Sequence, residues 1–263
     1  MLGHMVVERL GRDAGLAVEG VTRSEFDAER PDFAKLPPCD YVVNAIGVLR
    51  AEIDESRPAS LARAIRVNAV FPHELADWAK TRGVRVLHFS TDAVFANDRE
   101  ACFEDSPKDA TDPYGQSKAL GEPRAEGCLV LRGSIVGPDP ARKRGLLEWF
   151  LAQPEGSSVK GFTNQTWHGV TTLEFAELCR RVIVEERFDA LRAESSVHHL
   201  CLHRPLSKYE LLRVFQAVHA KKVTIVPHEG PPVRRVLATR FRGLEGLSGR
   251  DLPLEDAVRA MRK

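Results

Sequence analysis

The sequence predicts an α/β protein built on a doubly wound parallel sheet, with a smaller C-terminal lobe. Three observations carry this. Short apolar stretches alternate with amphipathic ones through the first half, the apolar stretches are bounded by Gly, Asp or Ser, and the alternation stops after Gly137. Near-continuous runs of Val, Leu and Ile mark strands covered on both faces. Strand–helix–strand alternation implies right-handed crossovers and a parallel sheet.

Leu2–Ala14 places Met5, Val6, Leu10 and Ala14 at helical spacing and stops at Gly15, a C-terminal capping residue. Leu16–Arg23 ("LAVEGVTR"), Asp40–Gly47, Val84–Ser90 and Cys128–Gly137 read as strands. Ala59–Arg82 repeats apolar residues at helical spacing and ends at Gly83. Pro113–Glu122 follows Asp112, a good N-cap, carries proline at its first position and is stopped by Pro123. Beyond Gly137, "PDPARKRG" is a loop. Leu146–Ala152, Thr172–Glu185 and Ser207–Val218 follow as helices, and "VHHLCLH" and "KKVTIVP" as short strands. The expected division is residues 1–137 for the sheet domain and 138–263 mainly for a lobe over the sheet's carboxyl edge, lending elements back to the sheet.

The chain's opening departs from this scheme. A doubly wound nucleotide fold begins with a strand and a glycine-rich turn. Here the first element is a helix, and Gly3 stands as the last glycine of a G-x-x-G-x-x-G turn. The first strand and the rest of the turn are expected to be missing, as in a truncated or mis-started chain. A pyrophosphate rests on that turn and the helix N-terminus behind it, so dinucleotide affinity is expected to be low.

The 263 residues are 43% hydrophobic, with a formal charge of +1 and mixed acids and bases. No basic block suggests nucleic acid, no apolar run is long enough for a membrane, and no signal-peptide pattern opens the chain. Cys39, Cys102, Cys128, Cys179 and Cys201 are scattered without a CxxC, which fits thiols in a reducing cytoplasm. The nine histidines form no HExxH, and no metal site is expected.

The chemistry-bearing stretch is "PYGQSK". Tyr114 and Lys118 are four residues apart on one helix face. An ammonium near a phenol stabilises the phenolate, so such a tyrosine can exchange a proton with a carbonyl oxygen. The spacing alone equally suits an exposed helix face. In "HFSTDAVF", Ser90, Thr91 and Asp92 stand at the carboxyl end of an apolar strand, where ligands bind in open α/β sheets, although they also suit a turn or N-cap. "NAIG" (residues 44–47) ends another strand in small residues, which lets a flat cofactor approach the backbone. After Val21 come Thr22, Arg23 and Ser24. An acid there would take the ribose hydroxyl of NAD, whereas Arg and Ser better suit a 2′-phosphate. Arg23 is equally compatible with an ordinary surface arginine.

In order and spacing these motifs resemble an extended short-chain dehydrogenase/reductase with a Rossmann-like fold. "STDAVF", "PYGQSK", "LRGSIVGP", "NQTWHGVTTLEFAEL" and "VNAVFPHELADWAK" resemble the dTDP-4-dehydrorhamnose reductase branch, from Leu2 to about Leu212. The resemblance implies NADPH-dependent reduction, with NADH as the alternative, of the 4-keto group of a nucleotide-linked deoxy-sugar for polysaccharide precursors. It implies Thr91 as catalytic hydroxyl, Tyr114 as proton donor and Lys118 as its partner and ribose ligand. Leu2 and Gly3 would be the remnant of the phosphate turn, and Arg23 and Ser24 would meet the adenosine ribose. Ala45, Ile46 and Gly47 would line the cofactor, and Phe89 and Ser90 would lie near the nicotinamide. Thr91, Asp92 and Asn164 would face the sugar. The expected partners are the nucleotide sugar and, as an option, a second copy in a homodimer. Ala93 replaces the branch's usual aromatic residue. Two alternatives share the fold: a nucleotide-sugar epimerase, and a non-catalytic dinucleotide-binding regulatory subunit. A dehydratase is disfavoured because Ala93-Val94 stand where such enzymes carry Glu.

Overall fold

The computed structural model describes residues 1–245, 247 and 253–262. Residues 246, 248–252 and 263 of the predicted C-terminal lobe lie outside the described residues. In chain order the helices are α1 (Leu2–Leu10), α2 (Pro58–Ile65), α3 (Phe71–Lys80), α4 (Pro113–Leu120), α5 (Leu146–Leu151), α6 (Thr172–Val184), α7 (Phe188–Glu194), α8 (Lys208–His219) and α9 (Leu254–Ala260). The strands are β1 (Tyr41–Asn44), β2 (Arg85–Ser90), β3 (Asp98–Cys102), β4 (Cys128–Arg132), β5 (Ser134–Val136), β6 (Ser158–Phe162), β7 (Thr166–Trp167), β8 (Gly169–Thr171), β9 (Val197–His199), β10 (Leu206–Ser207), β11 (Thr224–His228) and β12 (Arg234–Leu237).

The central sheet is parallel in the order β1-β2-β4-β9, with Val86 opposite Cys128 and Ser90 opposite Arg132. Alternation along its strands fills two cores. Leu87, Leu129 and Leu131 join α1 and α6, while Val86, Cys128 and Val130 join α3 and Phe71 on the other face. Every residue of β4 is buried, as a central strand between two helical layers requires. Residues 138–263 contribute β9 to this sheet and build a separate core from Phe150, Trp167, Leu211, Phe215 and Val258. Pairs β3–β12 and β5–β8 link the two parts at the carboxyl end of the sheet.

Four sequence expectations are corrected. Leu16–Arg23 is not a strand. Leu16 and Val18 pack beside Tyr41 and Val43, but no described segment pairs with them, and extended backbone without a ladder partner is not a strand. Ala59–Arg82 is not one regular helix, because a π turn at Arg66–Val70 joins α2 to α3. Cys128–Gly137 divides at Gly133 into β4, which pairs with β2 and β9, and β5, which pairs with β8. "VHHLCLH" is a strand only over Val197–His199. The apolar pattern does not predict β3, β6, β7, β8, β10, β12, α7 or α9, which are short or weakly patterned.

Backbones meet closely where α4 crosses the π turn. A Cβ on Gly121 would lie 1.7 Å from the Asn68 carbonyl oxygen, and backbone cannot swing aside as a side chain can. Gly121→Ala should therefore cost about 3 kcal/mol or more, read as a lower midpoint in urea unfolding with an unchanged slope.

Candidate active site

Two local features bring α4 to the end of β2. Asp112 accepts a hydrogen bond from the Gly115 amide and Pro113 sits in the first turn, which fixes where the helix begins. Gly115 then lies against the residue following the Ser-Thr-Asp set, for a Cβ there would be 2.2 Å from the Ala93 carbonyl oxygen. This contact places Tyr114 beside the strand terminus.

Thr91 caps the short 3-10 turn Asp92–Val94. Its hydroxyl accepts from the Ala93 amide at 3.1 Å and donates to Asp92 Oδ1 at 3.2 Å. Asp92 Oδ1 also accepts from Ser134 Oγ at 2.9 Å. The half-buried Tyr114 phenol lies near enough to the Thr91 hydroxyl for that hydroxyl to stabilise the phenolate, although no hydrogen bond joins the two. Lys118 is buried, and its Nζ donates to the carbonyl of Phe89 at 2.9 Å. The structure thus gathers Thr91, Asp92, Tyr114 and Lys118 at the carboxyl edge of a parallel sheet.

Burial raises the Tyr114 pKa. The Thr91 hydroxyl, Arg50 and Arg235 pull it back, while Asp92 adds to the rise. Among the charges acting on the phenol, Asp92 is the strongest, and Arg50 and Arg235 oppose it. Arg50 stands over the ring at 5.7 Å and pairs with Asp112 at 2.7 Å. Burial lowers the Lys118 pKa to about 8, against an opposing pull from Glu122.

Arg235, Lys208 and Arg50 were not anticipated, and β12 and the start of α8 carry no motif that would have exposed the first two. Arg235 Nε lies 4.0 Å from Asp92 Oδ2, and its Nε and Nη1 are buried without hydrogen-bond partners. Burial lowers the Lys208 pKa, Arg235 and Arg50 lower it further, and Asp92 opposes them. Arg235 and Lys208 thus share Asp92 as a nearby carboxylate, with Arg50, paired to Asp112, adding its field, an arrangement that suits an anionic ligand.

The remaining predicted residues divide. Gly3 brings the start of α1 within van der Waals reach of Ala45, and Ile46 and Gly47 are exposed at the end of β1. The first turn of α1 has neither an acidic residue nor a side-chain cap, so its free amides suit a phosphate. Leu2 is buried in the core beside Met5 and Val6. Asn68, in the π turn, accepts from the Val48 amide at 2.8 Å and donates to the Val48 carbonyl and Ser117 Oγ; these bonds tether the segment after Gly47 to α4. Arg23 is exposed and paired with Glu29, and Ser24 Oγ bonds Thr22. Phe89 packs edge-on against Phe175, and the Ser90 hydroxyl donates to Glu122 at 2.7 Å. Asn164 has its side-chain amide bonded to both backbone groups of Gly230. Among the described residues, no group of three or more His, Cys, Asp and Glu is placed to hold a metal ion, and no helix is long and apolar enough to cross a membrane.

A family model described as RmlD substrate binding domain matches residues 1–236. The chain belongs to this family. Among curated proteins it is similar to a probable low-salt glycan biosynthesis reductase, Agl14, of Haloferax volcanii, with 30% identity over 189 residues. That match covers 63% of this chain and 62% of the relative's length. Among solved structures, it is similar to dTDP-4-dehydrorhamnose reductase from Yersinia enterocolitica, with TM-score 0.79, 16% identity and coverage of 99% of this chain and 94% of that one. The Clostridium acetobutylicum dTDP-4-dehydrorhamnose reductase gives TM-score 0.76 and 17% identity, over 100% and 96% of the two chains. The enzyme from Bacillus anthracis, solved in complex with NADP, gives 0.74 and 14% over 99% and 94%. At these identities the structural likenesses establish the fold of this family member.

Burying Lys118 also bears on stability. The native ammonium loses its proton near pH 8 and the unfolded one near 10.5. Between those values the unfolded chain binds more protons, so stability rises with pH across that window. Lys118→Met should stabilise the protein by about 2 kcal/mol below pH 8, with the gain fading towards pH 10.5. Urea unfolding of both proteins across that pH range checks this.

Proposed function

We propose that this protein reduces the 4-keto group of a nucleotide-linked deoxy-sugar with NADPH, in the making of a cell-surface polysaccharide precursor. The observation that carries the reading is the convergence of Thr91, Tyr114 and Lys118 at the carboxyl end of β2. Family membership and the reductase names of the relatives support it.

NADPH, when bound, supplies the two-electron reduction of the carbonyl carbon. The start of α1 at Leu2 and Gly3 would hold its phosphates, and Ala45, Ile46 and Gly47 would give its ring system a low backbone wall. Lys118 would hold the nicotinamide ribose. Arg23 and Ser24 would meet the 2′-phosphate by exchanging the exposed Glu29 pair, an interaction of little net strength, for a charge-assisted bond to phosphate.

Tyr114 and Thr91 bind the substrate carbonyl oxygen. Because burial raises its pKa, the phenol keeps its proton at neutral pH and can donate it as the oxygen gains charge. Arg50 and Arg235 then stabilise the phenolate. The Ala93 amide holds the Thr91 oxygen in place, and the hydroxyl would turn its one proton from Asp92 to the substrate oxygen to serve as the second donor. The unpartnered donors of Arg235, with Lys208, suit the phosphates of the nucleotide sugar.

Tyr114→Phe should lower kcat with NADPH and dTDP-4-dehydrorhamnose by about 10²–10⁴-fold. Near-normal NADPH oxidation would remove this mechanism, and turnover without net NADPH consumption would replace reduction with epimerisation. Arg235→Met should raise KM for the nucleotide sugar by about tenfold or more, with little change in NADPH affinity by fluorescence titration. An unchanged KM would remove Arg235 from the phosphate site.

A further inference from the structure

Behind the tyrosine and lysine lies a second cluster of charges. Glu122, just past the end of α4, receives Ser90 Oγ and Arg132 Nε on one oxygen, both at 2.7 Å. Its other oxygen receives Arg132 Nη2 at 2.7 Å and Lys108 Nζ at 3.1 Å. The Arg132 and Glu122 side chains are 3% and 2% exposed. On their outer side a cavity of about 260 Å³ opens, lined in part by Lys108, Glu122, Arg132 and Arg240. On their inner side is the end of β2, where the Phe89 carbonyl receives Lys118 immediately before Ser90 donates to Glu122.

We infer that Glu122, clamped by Arg132, is a positioning residue for the proton-transfer pair: through Ser90 it anchors the end of β2 whose Phe89 carbonyl holds Lys118, and it sets a carboxylate four residues beyond that lysine. The catalytic meaning of this assignment rests on the role proposed above for Lys118. A buried ion pair kept only for stability is often replaceable by apolar residues at little cost, but this pair stands between solvent and a buried lysine. Burial tends to push the Glu122 carboxyl up, yet Arg132, Lys108 and Ser90 hold it below its usual range, so it is charged. Lys118, lowered to about 8, is close enough to neutrality for the loss of one nearby charge to change its state.

The groups around the pair are few. His88 on β2 faces Lys118 and is held neutral by burial and by that same cation. Tyr114 shares the lysine's helix. Arg132 and His199 approach Glu122 from β4 and β9, and Lys108 from the loop before α4. Glu122 is the charge that opposes the effect of burial on Lys118.

The test uses the full chain, labelled with 13C at lysine Cε and titrated by NMR, with Lys118→Met to assign the resonance. In the double variant Glu122→Gln/Arg132→Met, which removes the buried ion pair whole and leaves only the partly exposed Lys108 without its carboxylate, the Lys118 midpoint should fall by about half a pH unit or more. The alkaline limb of kcat/KM should move down with it. A folded double variant with an unmoved Lys118 midpoint overturns the inference. Should that variant not fold, Lys108→Met leaves Glu122 less compensated and should raise the midpoint; no movement there overturns the inference equally. Full reductase activity in Lys118→Met would instead overturn the role proposed for the lysine and leave the electrostatic result standing.

Discussion

The site depends on one constraint: a lysine buried in the protein and bonded to the Phe89 carbonyl near the end of a central strand. An ammonium loses much of its hydration on burial, so it persists only where acceptors and counter-charges replace that water. The Phe89 carbonyl and the field of Glu122 do so here. To reach them, α4 must lie almost in backbone contact with its neighbours. Gly115 against Ala93 and Gly121 against Asn68 make that approach sterically feasible. The helix, the strand end and the π turn are therefore three parts of one support.

The electrostatics at the tyrosine differ from the simplest picture of a Tyr–Lys pair. The cations acting most strongly on the phenol come from Arg50, beyond β1, and Arg235, on β12. Lys118 faces the strand end, where its Nζ donates to the Phe89 carbonyl. This arrangement draws cations to the phenol from outside its own helix. It also couples the tyrosine to the C-terminal lobe, because β12 pairs with β3 and its arginine reaches over Asp92. A charged substrate entering between the two parts would meet the same arginine that tunes the proton donor.

Much of the fold was legible in the sequence. Alternating apolar and amphipathic stretches placed β1, β2 and β4 and the helices α1, α4, α6 and α8 within a few residues. Asp112 and Pro113 marked the start of α4, and Ser207 with Glu210 forms a capping box at α8. The segment 16–23 failed because a strand is a property of two chains of backbone lying side by side, and apolar content reports only one. The π turn was hidden because an extra residue in a helical turn barely disturbs apolar spacing.

For the site, local spacing determined that Tyr114 and Lys118 share a helix face, and strand polarity determined that Ser90, Thr91 and Asp92 lie at the ligand-binding edge. Only the tertiary structure decided which hydroxyl acts on the tyrosine: Thr91 holds its pKa down, while Ser90 is committed to Glu122. Only it could bring Arg235 to Asp92 and Arg132 to Glu122, because those partners are distant in sequence and Coulomb attraction acts over ångströms of space. Sequence periodicity records which way a side chain faces; it carries no information about which remote charge waits on the other side.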